Sequence, residues 1–596
     1  MAERASNEVA EKSVHDPTAE VLEVERAAES EQEKFHLSQL NKVVWPVSLG
    51  LLFAWTAQQE IPTVINPILG PLNASLGPSE TYTWISSAYN MAIAISWCFV
   101  GPLSDALGRR WFFLCGGVLG IIGGIVAGTA KSVNTVIIGM TFLGVAAASQ
   151  QVSAAAAAEI FPMKWRGYVQ AAIEALPFAF NTFGSLIGYS MVKSATWRWG
   201  FYINIIIAAI STLLLFFFYH PPVPQKELSR FQILKTIDFV GCGLFMAGLG
   251  AFLLGLTWAA GSYPWKSAPV LVPMLLGVLL LVKPMARQIL FFQDGYSKDL
   301  QGAFTQFKKL GLADAIYYHR MISLTIVVFI GSIPLYAMLS GWAQEVTILF
   351  TQDPLKIGIY GIPQGVGLEF GAVFAGLLVK IIGHTHLQLT ASAFFTTLFV
   401  ALMAVLTPKS INPAFAFLLL GCMAMNYLQV TAMIMAQLGV EHRDLAKATG
   451  LLSIARNAGG AIAVAMFYSI LRSRVSANLP PRVTDAVLAL GLPESSLPGV
   501  LQGVASFNQT MINEAPGATP AIAEAAVYAG KLAYAASFRV IYYVGLGLGV
   551  VSIVAAYFTN DVISRMTDTL QVDLNEKDHA HLFKPTQVEG VVRDEP

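Results

Sequence analysis

Charge is what this sequence has least of. Only 12% of its 596 residues are Asp, Glu, Lys or Arg, against 55% apolar, whereas soluble domains carry about 25% charged residues. So few charges cannot coat a water-facing surface of this size, which excludes a large soluble globule. Net charge is zero, which excludes the basic footprint of a nucleic-acid-binding protein. Cysteine is scarce too: Cys98, Cys115, Cys242 and Cys422 all sit inside apolar runs with no C-x-x-C spacing. That excludes a disulfide framework or a thiolate metal centre and leaves packed thiols. No G-x-S-x-G, H-E-x-x-H or P-loop pattern occurs, and the nine histidines lie mostly in loops or tails. Neither an enzyme, a cofactor nor a metal is expected.

What is abundant is apolar length. Crossing ~30 Å of hydrocarbon takes about 20 apolar residues. Such runs fall near 43–66, 84–104, 111–130, 134–156, 168–192, 200–219, 238–259, 268–286, 321–345, 357–380, 386–407, 412–435, 446–471 and 538–558. Backbone groups in lipid must be satisfied within their own segment, so each run predicts a helix. The expected fold is an all-α integral membrane protein with fourteen transmembrane helices. The first 41 residues hold ten acidic and four basic residues and no apolar stretch; residues 1–42 read as a disordered tail, not a signal peptide. Residues 559–596 form a second tail.

An even number of spans puts both tails on one side. Lys and Arg are modestly more frequent in the short connections on that side, which marks it as cytoplasmic. Two N-x-S/T sequons, at Asn73 and Asn508, both fall in loops of the opposite side, as glycosylation acceptors should. The long loop 472–537 is therefore expected outside. Its Pro- and Gly-rich turns around ALALGL and GVLQGVASF predict short amphipathic helices over the outer mouth.

One charged decapeptide, GPLSDALGRR at 101–110, separates the second and third runs. Gly101 and Gly108 permit close approach and a sharp reversal, Asp105 can meet a helix N-terminus or an arginine, and Arg109 and Arg110 anchor the next helix at the interface. On charge alone this is a positive-inside anchor. Its spacing resembles the G-x-x-x-D-[RK]-x-G-R-[RK] loop of the major facilitator superfamily, with Ala106 in place of the usual basic residue. The resemblance implies a cytoplasmic gate made by Gly101, Asp105, Gly108, Arg109 and Arg110. A fainter copy, Gly376, Lys380, Gly383 and His384, repeats the spacing at an offset of 275, and Asn457-x-x-Gly460 repeats Asn181-x-x-Gly184 at an offset of 276. These offsets suggest two equivalent six-helix bundles, 43–219 and 321–558, with a linker of two inserted spans at 220–286 and a cytoplasmic connection at 287–320.

WRWGFYIN (197–204) and DFVG (238–241) resemble the fourteen-span drug:proton antiporter branch of that superfamily. TQDPLKIGIYGIPQGVG (351–367), DLAKATGLLSIARNAGG (444–460) and LALGLPESSLPG (488–499) are similar to the fungal trichothecene efflux pumps within it. The resemblance runs from about residue 43 to 575. Segment 287–320 departs from it, and reads as a basic helix or an error in the gene structure. Two departures concern mechanism. Met140 stands where the antiporters carry an arginine in the fourth span, and the fifth-span motif survives only as Gly184-Ser-Leu-Ile-Gly188. Proton coupling must then use other groups.

Polar groups inside a membrane are costly and usually functional. Glu60, Glu174, Asn181, Glu369, Asn426, Arg456 and Asn457 are the candidates for substrate binding or proton coupling. Glu60 and Glu174 also read as interfacial residues, and the asparagines as helix–helix hydrogen bonds. Glu369 and Arg456 both fall near mid-depth and suggest a charge pair. The expected function is secondary active transport, export of small hydrophobic or amphipathic compounds in exchange for protons, by a monomer in the plasma membrane or a vacuolar or vesicular membrane. A siderophore–iron importer and a non-transporting receptor are the alternatives. Phe178, Phe180, Phe183, Phe370 and Phe374 suggest a greasy cavity lining.

Overall fold

The computed structural model of the chain describes residues 44–77, 79–160, 165–220, 239–259, 263–290, 312–409, 411–440 and 445–562. The expected N-terminal tail, Asp238, residues 291–311 of the connection and the tail beyond 562 lie outside the described residues. The N-terminal bundle is built from α1 (Val44–Ile65), a short α2 (Leu69–Leu76), α3 (Trp84–Leu107), α4 (Arg109–Gly128), α5 (Val133–Ile160), α6 (Arg166–Ala175), α7 (Phe178–Ser194) and α8 (Arg198–Phe218). The inserted pair is α9 (Phe239–Trp258) and α10 (Ala268–Leu290). The C-terminal bundle holds α11 (Leu312–Leu349), α12 (Pro354–Tyr360), α13 (Ile362–Ile382), α14 (Thr385–Met403), α15 (Ile411–Gly439), α16 (Leu445–Leu488), short α17 (Leu497–Ala505) and α18 (Gln509–Asn513), and α19 (Pro520–Tyr557). Among the described residues every regular element is helical, and nine helices are long and apolar enough to cross a membrane.

Packing repeats between the halves. In the first, α1 lies on α5, α7 and α8, α3 on α5, and α4 on α5 and α8; in the second, α11 lies on α15, α16 and α19, α13 on α15, and α14 on α15 and α19. The equivalences of α1 with α11, α3 with α13, α4 with α14 and α7 with α16 follow the offset of the two motif copies, whereas α8 and α19 correspond across a larger one because the 472–537 segment is inserted before the last span. The turn glycines recur as well. Gly108 (φ 91°) ends α3 and Gly383 (φ 62°) ends α13, in a backbone region that only a residue without a Cβ occupies cheaply. The decapeptide is therefore a tight turn between two helices. Arg109 is buried at that turn, and Arg110 Nη2 donates to the Phe216 carbonyl at the end of α8, 2.8 Å away.

The halves meet along two seams, α3 against α16 and α6–α7 against α12–α13. The α9–α10 hairpin leans on the first seam, where the Ser469 hydroxyl donates to the Leu256 carbonyl at 2.9 Å. At the end bearing the 101–110 turn, the chain after α19 folds back: Asp561 Oδ1 accepts from the Thr385 backbone N–H at 3.2 Å and its hydroxyl at 2.7 Å. This caps the first turn of α14, where orphan N–H groups favour a carboxylate.

Two expectations are corrected. The run 168–192 is not one helix but breaks at Leu176–Pro177 between α6 and α7, because Pro177 has no N–H to continue the ladder and its ring crowds the preceding turn. The 472–537 segment is mostly not a loop. α16 runs on to Leu488 and α19 starts at Pro520, so both helices project about 25 Å past the runs predicted at 446–471 and 538–558. The two expected short helices, α17 and α18, pack across this projection. Leu479, Val483, Val487, Val500, Val504 and Ile522 are buried there, giving the stalk an apolar core of its own.

Candidate transport site

The break in the fifth span leaves polar groups on both sides of Pro177. On α6, Glu174 is 2% exposed and accepts from Gln170 Nε2 at 3.3 Å. On α7, Asn181 Nδ2 donates across the seam to Glu369 Oε1 at 2.5 Å. Glu369, on α13, is also 2% exposed, and its Oε2 is buried without a hydrogen-bond partner. Interrupted helices with exposed backbone ends at the repeat interface are where secondary carriers build their sites.

Arg456 lies near a different carboxyl from the one its depth suggests. It shares a cavity of about 10 Å³, the space of one water, with Glu174, Gln170, Trp55 and Gln429, and its charge acts on Glu174. Glu369 is instead held by Asn181, while feeling the charge of Glu174. The structure thus gathers Glu174 from the first half and Glu369 and Arg456 from the second into one buried polar layer. Asn426 lies apart, donating to the Leu368 carbonyl at 2.8 Å as a helix–helix contact. Glu60 lies apart too, fully buried in the N-terminal bundle beside Asn204.

A second network joins the other seam. Asn457 Nδ2 donates to the Ser453 carbonyl at 2.7 Å and reaches Gln151 Oε1 at 3.5 Å. That same Oε1 accepts from Trp97 Nε1 at 2.7 Å, and Gln151 Nε2 donates to Gln58 Oε1 at 3.2 Å. Four helices, α1, α3, α5 and α16, are therefore linked through amides. Sequence reading missed Gln58 and Gln151, although each is a polar residue inside an apolar run. It missed Glu345 as well, a buried carboxyl on α11 that accepts from the Tyr542 hydroxyl of α19.

Closure at the turn end is tight. A Cβ on Gly376 of α13 would stand 2.5 Å from the Gly167 carbonyl oxygen of α6, so the two backbones touch. Lys380 adds a cation–π contact over Tyr168, 5.7 Å from the ring centre. Gly101 and the Asp105 side chain lie outside the described residues. At the opposite end a mouth of about 680 Å³ opens between Tyr82 and Trp84 of the first half and Gln344, Tyr468 and Arg472 of the second. Of the expected aromatic lining, Phe178, Phe183 and Phe370 are exposed and line neither the central cavity nor the mouth. Asn73 lines the mouth, and its Oδ1 accepts from the Ser79 N–H at 3.0 Å; Asn508 is exposed at the start of α18.

Two pseudo-equivalent six-helix bundles meeting along two seams, with a buried charged layer between them, define a secondary transporter of the major facilitator type. The solved proton:xylose symporter XylE, bound to 6-bromo-6-deoxy-D-glucose, has the same fold: TM-score 0.50 at 12% identity, covering 89% of this chain and 98% of that one. The family profile of the fungal trichothecene efflux pump (TRI12) matches residues 65–586. The chain belongs to that family, within the multi-pass membrane transporters. It is 27% identical over 524 residues to the trichothecene efflux pump TRI12 of Fusarium sporotrichioides, covering 85% of this chain and 84% of the relative. It is 28% identical to the pump of the same name from Trichoderma arundinaceum over 543 residues, 86% and 85% of the two chains. To the MFS-type transporter prx5 of Penicillium rubens it is 28% identical over 464 residues, 75% and 80%.

Proposed function

We propose that this protein exports small hydrophobic or amphipathic secondary metabolites by alternating access, in exchange for protons, with Glu174, Arg456, Glu369 and Asn181 as the coupling centre. The observation that carries the reading is the polar layer on opposite halves: two buried carboxyls and one half-buried guanidinium at the interface that must part. Two carboxylates and one cation leave one negative charge unmatched, and a proton on either carboxyl removes it. Protonation of Glu174 also takes away the negative charge that shares a cavity with Arg456, which loosens the interface and lets the turn end open; loss of the proton draws the halves together again. The missing fourth-span arginine is replaced in this scheme by Arg456 on the other half. Each charge is expensive alone in the membrane, so the proton and the opening of the seam are thermodynamically linked.

The turn end is cytoplasmic and the stalk end external in this reading, with the 101–110 turn acting as a gate through Asp105. The protein acts as a monomer in the plasma membrane. Membership of an efflux family weighs for export over siderophore import or a receptor role. The test is reconstitution in proteoliposomes with a trichothecene as cargo. Glu174→Gln should retain substrate counterflow and lose at least about tenfold of the transport driven by a pH gradient, as expected for loss of one charge-assisted contact in the coupled step. Full gradient-driven transport by the folded variant would remove Glu174 from the coupling.

A further inference from the structure

We infer that Asp561 is a positioning residue for closure of the turn end: the chain just past α19 is a strap that holds the α13–α14 turn where Lys380 can meet the first half. The inference rests on the alternating-access part of the proposed function and is independent of its coupling centre.

The turn draws its carboxylate from outside. His384 is the N-cap residue of α14 and gives that helix no side-chain hydrogen bond. It also stands at φ 48°, a left-handed conformation that a residue with a side chain adopts at a cost. In the first motif copy the acidic residue, Asp105, belongs to the turn itself. The second copy has Lys380 at that position, and 376–384 contains neither Asp nor Glu. Asp561 supplies the carboxylate from 176 residues away, accepting from the backbone N–H and the hydroxyl of Thr385. The Val562 backbone N–H donates to the Thr385 hydroxyl oxygen at 3.3 Å. The Val562 side chain is 1% exposed, in an apolar cluster shared with Val379 of α13 and Leu389 of α14. The strap thus grips the helices on both sides of the turn.

The first half ties its turn to the matching place by the reverse chemistry. Thr385 lies 275 residues after Arg110, the offset of the two motif copies. Arg110 Nη2 donates to the Phe216 carbonyl at the end of α8, the counterpart of α19. In each bundle, then, the first turn of the helix after the motif is bonded to the end of the last span. A guanidinium reaches out from the turn in one half, and a carboxylate reaches in to it in the other. The same tie made by unrelated residues points to a mechanical requirement of the fold.

The strap lies within one half, so parting of the halves does not break it, and alone it favours neither state. It acts through Lys380, which sits on the last turn of α13 with its ammonium 5.7 Å from the Tyr168 ring centre across the seam. Gly376, which meets the Gly167 backbone, lies one turn earlier on the same helix. With the turn held, both residues are presented to the first half in place. With it loose, closure must also order the end of α13, and that lost freedom opposes closure.

The test uses the full-length, cysteine-depleted protein in nanodiscs, with spin labels at Ala172 of α6 and Ile326 of α11, both exposed. This pair spans the two halves and avoids α13, α14 and α19, so local loosening of the turn leaves its distance unchanged. Asp561→Ala should raise the ratio of open to closed turn ends at least about twofold, the low end of what a helix cap is worth. Asp561→Asn, which keeps a capping oxygen, should recover most of the closed population. Thr385→Val should act in the same direction, and the Asp561→Ala/Thr385→Val double variant should add little, which assigns the effect to this contact. Lys380→Met should also favour opening, and by less in the Asp561→Ala background than alone. Unchanged populations in both folded single variants, or full additivity of Lys380→Met with Asp561→Ala, overturns the inference while leaving alternating access standing. A wild type with one distance at every pH and cargo concentration would overturn both.

Discussion

Replacing Gly376 by alanine should hold the turn end open. The added Cβ would lie 2.5 Å from the Gly167 carbonyl oxygen and 2.7 Å from the Ala171 Cβ, while ordinary contacts begin at 3.4 Å. The two helices must therefore separate by about 0.9 Å to admit one methyl group. Overpacking of this kind in a close-packed seam costs about 1–3 kcal/mol. The cost exists only while α6 and α13 touch, so it enters the conformational equilibrium in full, a shift of about 5- to 150-fold away from the closed turn end. Spin labels at Ala172 and Ile381, both exposed, would report it in a cysteine-depleted background by electron–electron distance measurement. The long-distance population should grow in Gly376→Ala, and Gly167→Ala should act in the same direction. An unchanged distance distribution in both folded variants would show that this backbone contact does not govern closure.

Tyr542→Phe should lower the thermal unfolding midpoint, because it leaves the buried Glu345 carboxyl without its donor, a loss of about 1–3 kcal/mol; a midpoint equal to wild type would mean that Glu345 finds another partner. Expressed in a eukaryotic host, the protein should carry a glycan on Asn508 and none on Asn73, whose side chain is half-buried and bonded to Ser79. Endoglycosidase treatment of Asn508→Gln and Asn73→Gln variants reads this directly, and cysteine labelling from outside should reach position 508 but not 105. The opposite labelling pattern would invert the proposed orientation.

Length and punctuation carried most of the fold into view. Apolar runs of membrane-crossing length located the helices, and Gly108 and Gly383 marked equivalent turns because their positions demand a residue without a Cβ. Two features were hidden. The Leu479, Val483 and Val487 spacing of four is a helical stripe, yet Pro480 and Pro481 sit inside it and read as a turn, although α16 continues through them. Pro177 was hidden for the converse reason: it lies within a long apolar run, and membrane helices often tolerate proline. At the site, the sequence showed which residues were costly to bury and not which of them would meet. Asn181 and Glu369 are 188 residues apart and belong to different halves, so no local period links them. Depth alone paired Arg456 with Glu369, whereas helix rotation turned it toward Glu174.

The stalk is continuous with two spans of the same half, α16 and α19, and so cannot move independently of them. If that half rocks by about 15°, a typical domain rotation, the tip, some 40 Å from the membrane centre, sweeps an arc of about 10 Å. Each transport cycle is thus written at large amplitude outside the bilayer. An antibody fragment that clamps the stalk to the first half would arrest the carrier without touching its cargo path, and a fluorophore pair placed there would count turnovers one molecule at a time.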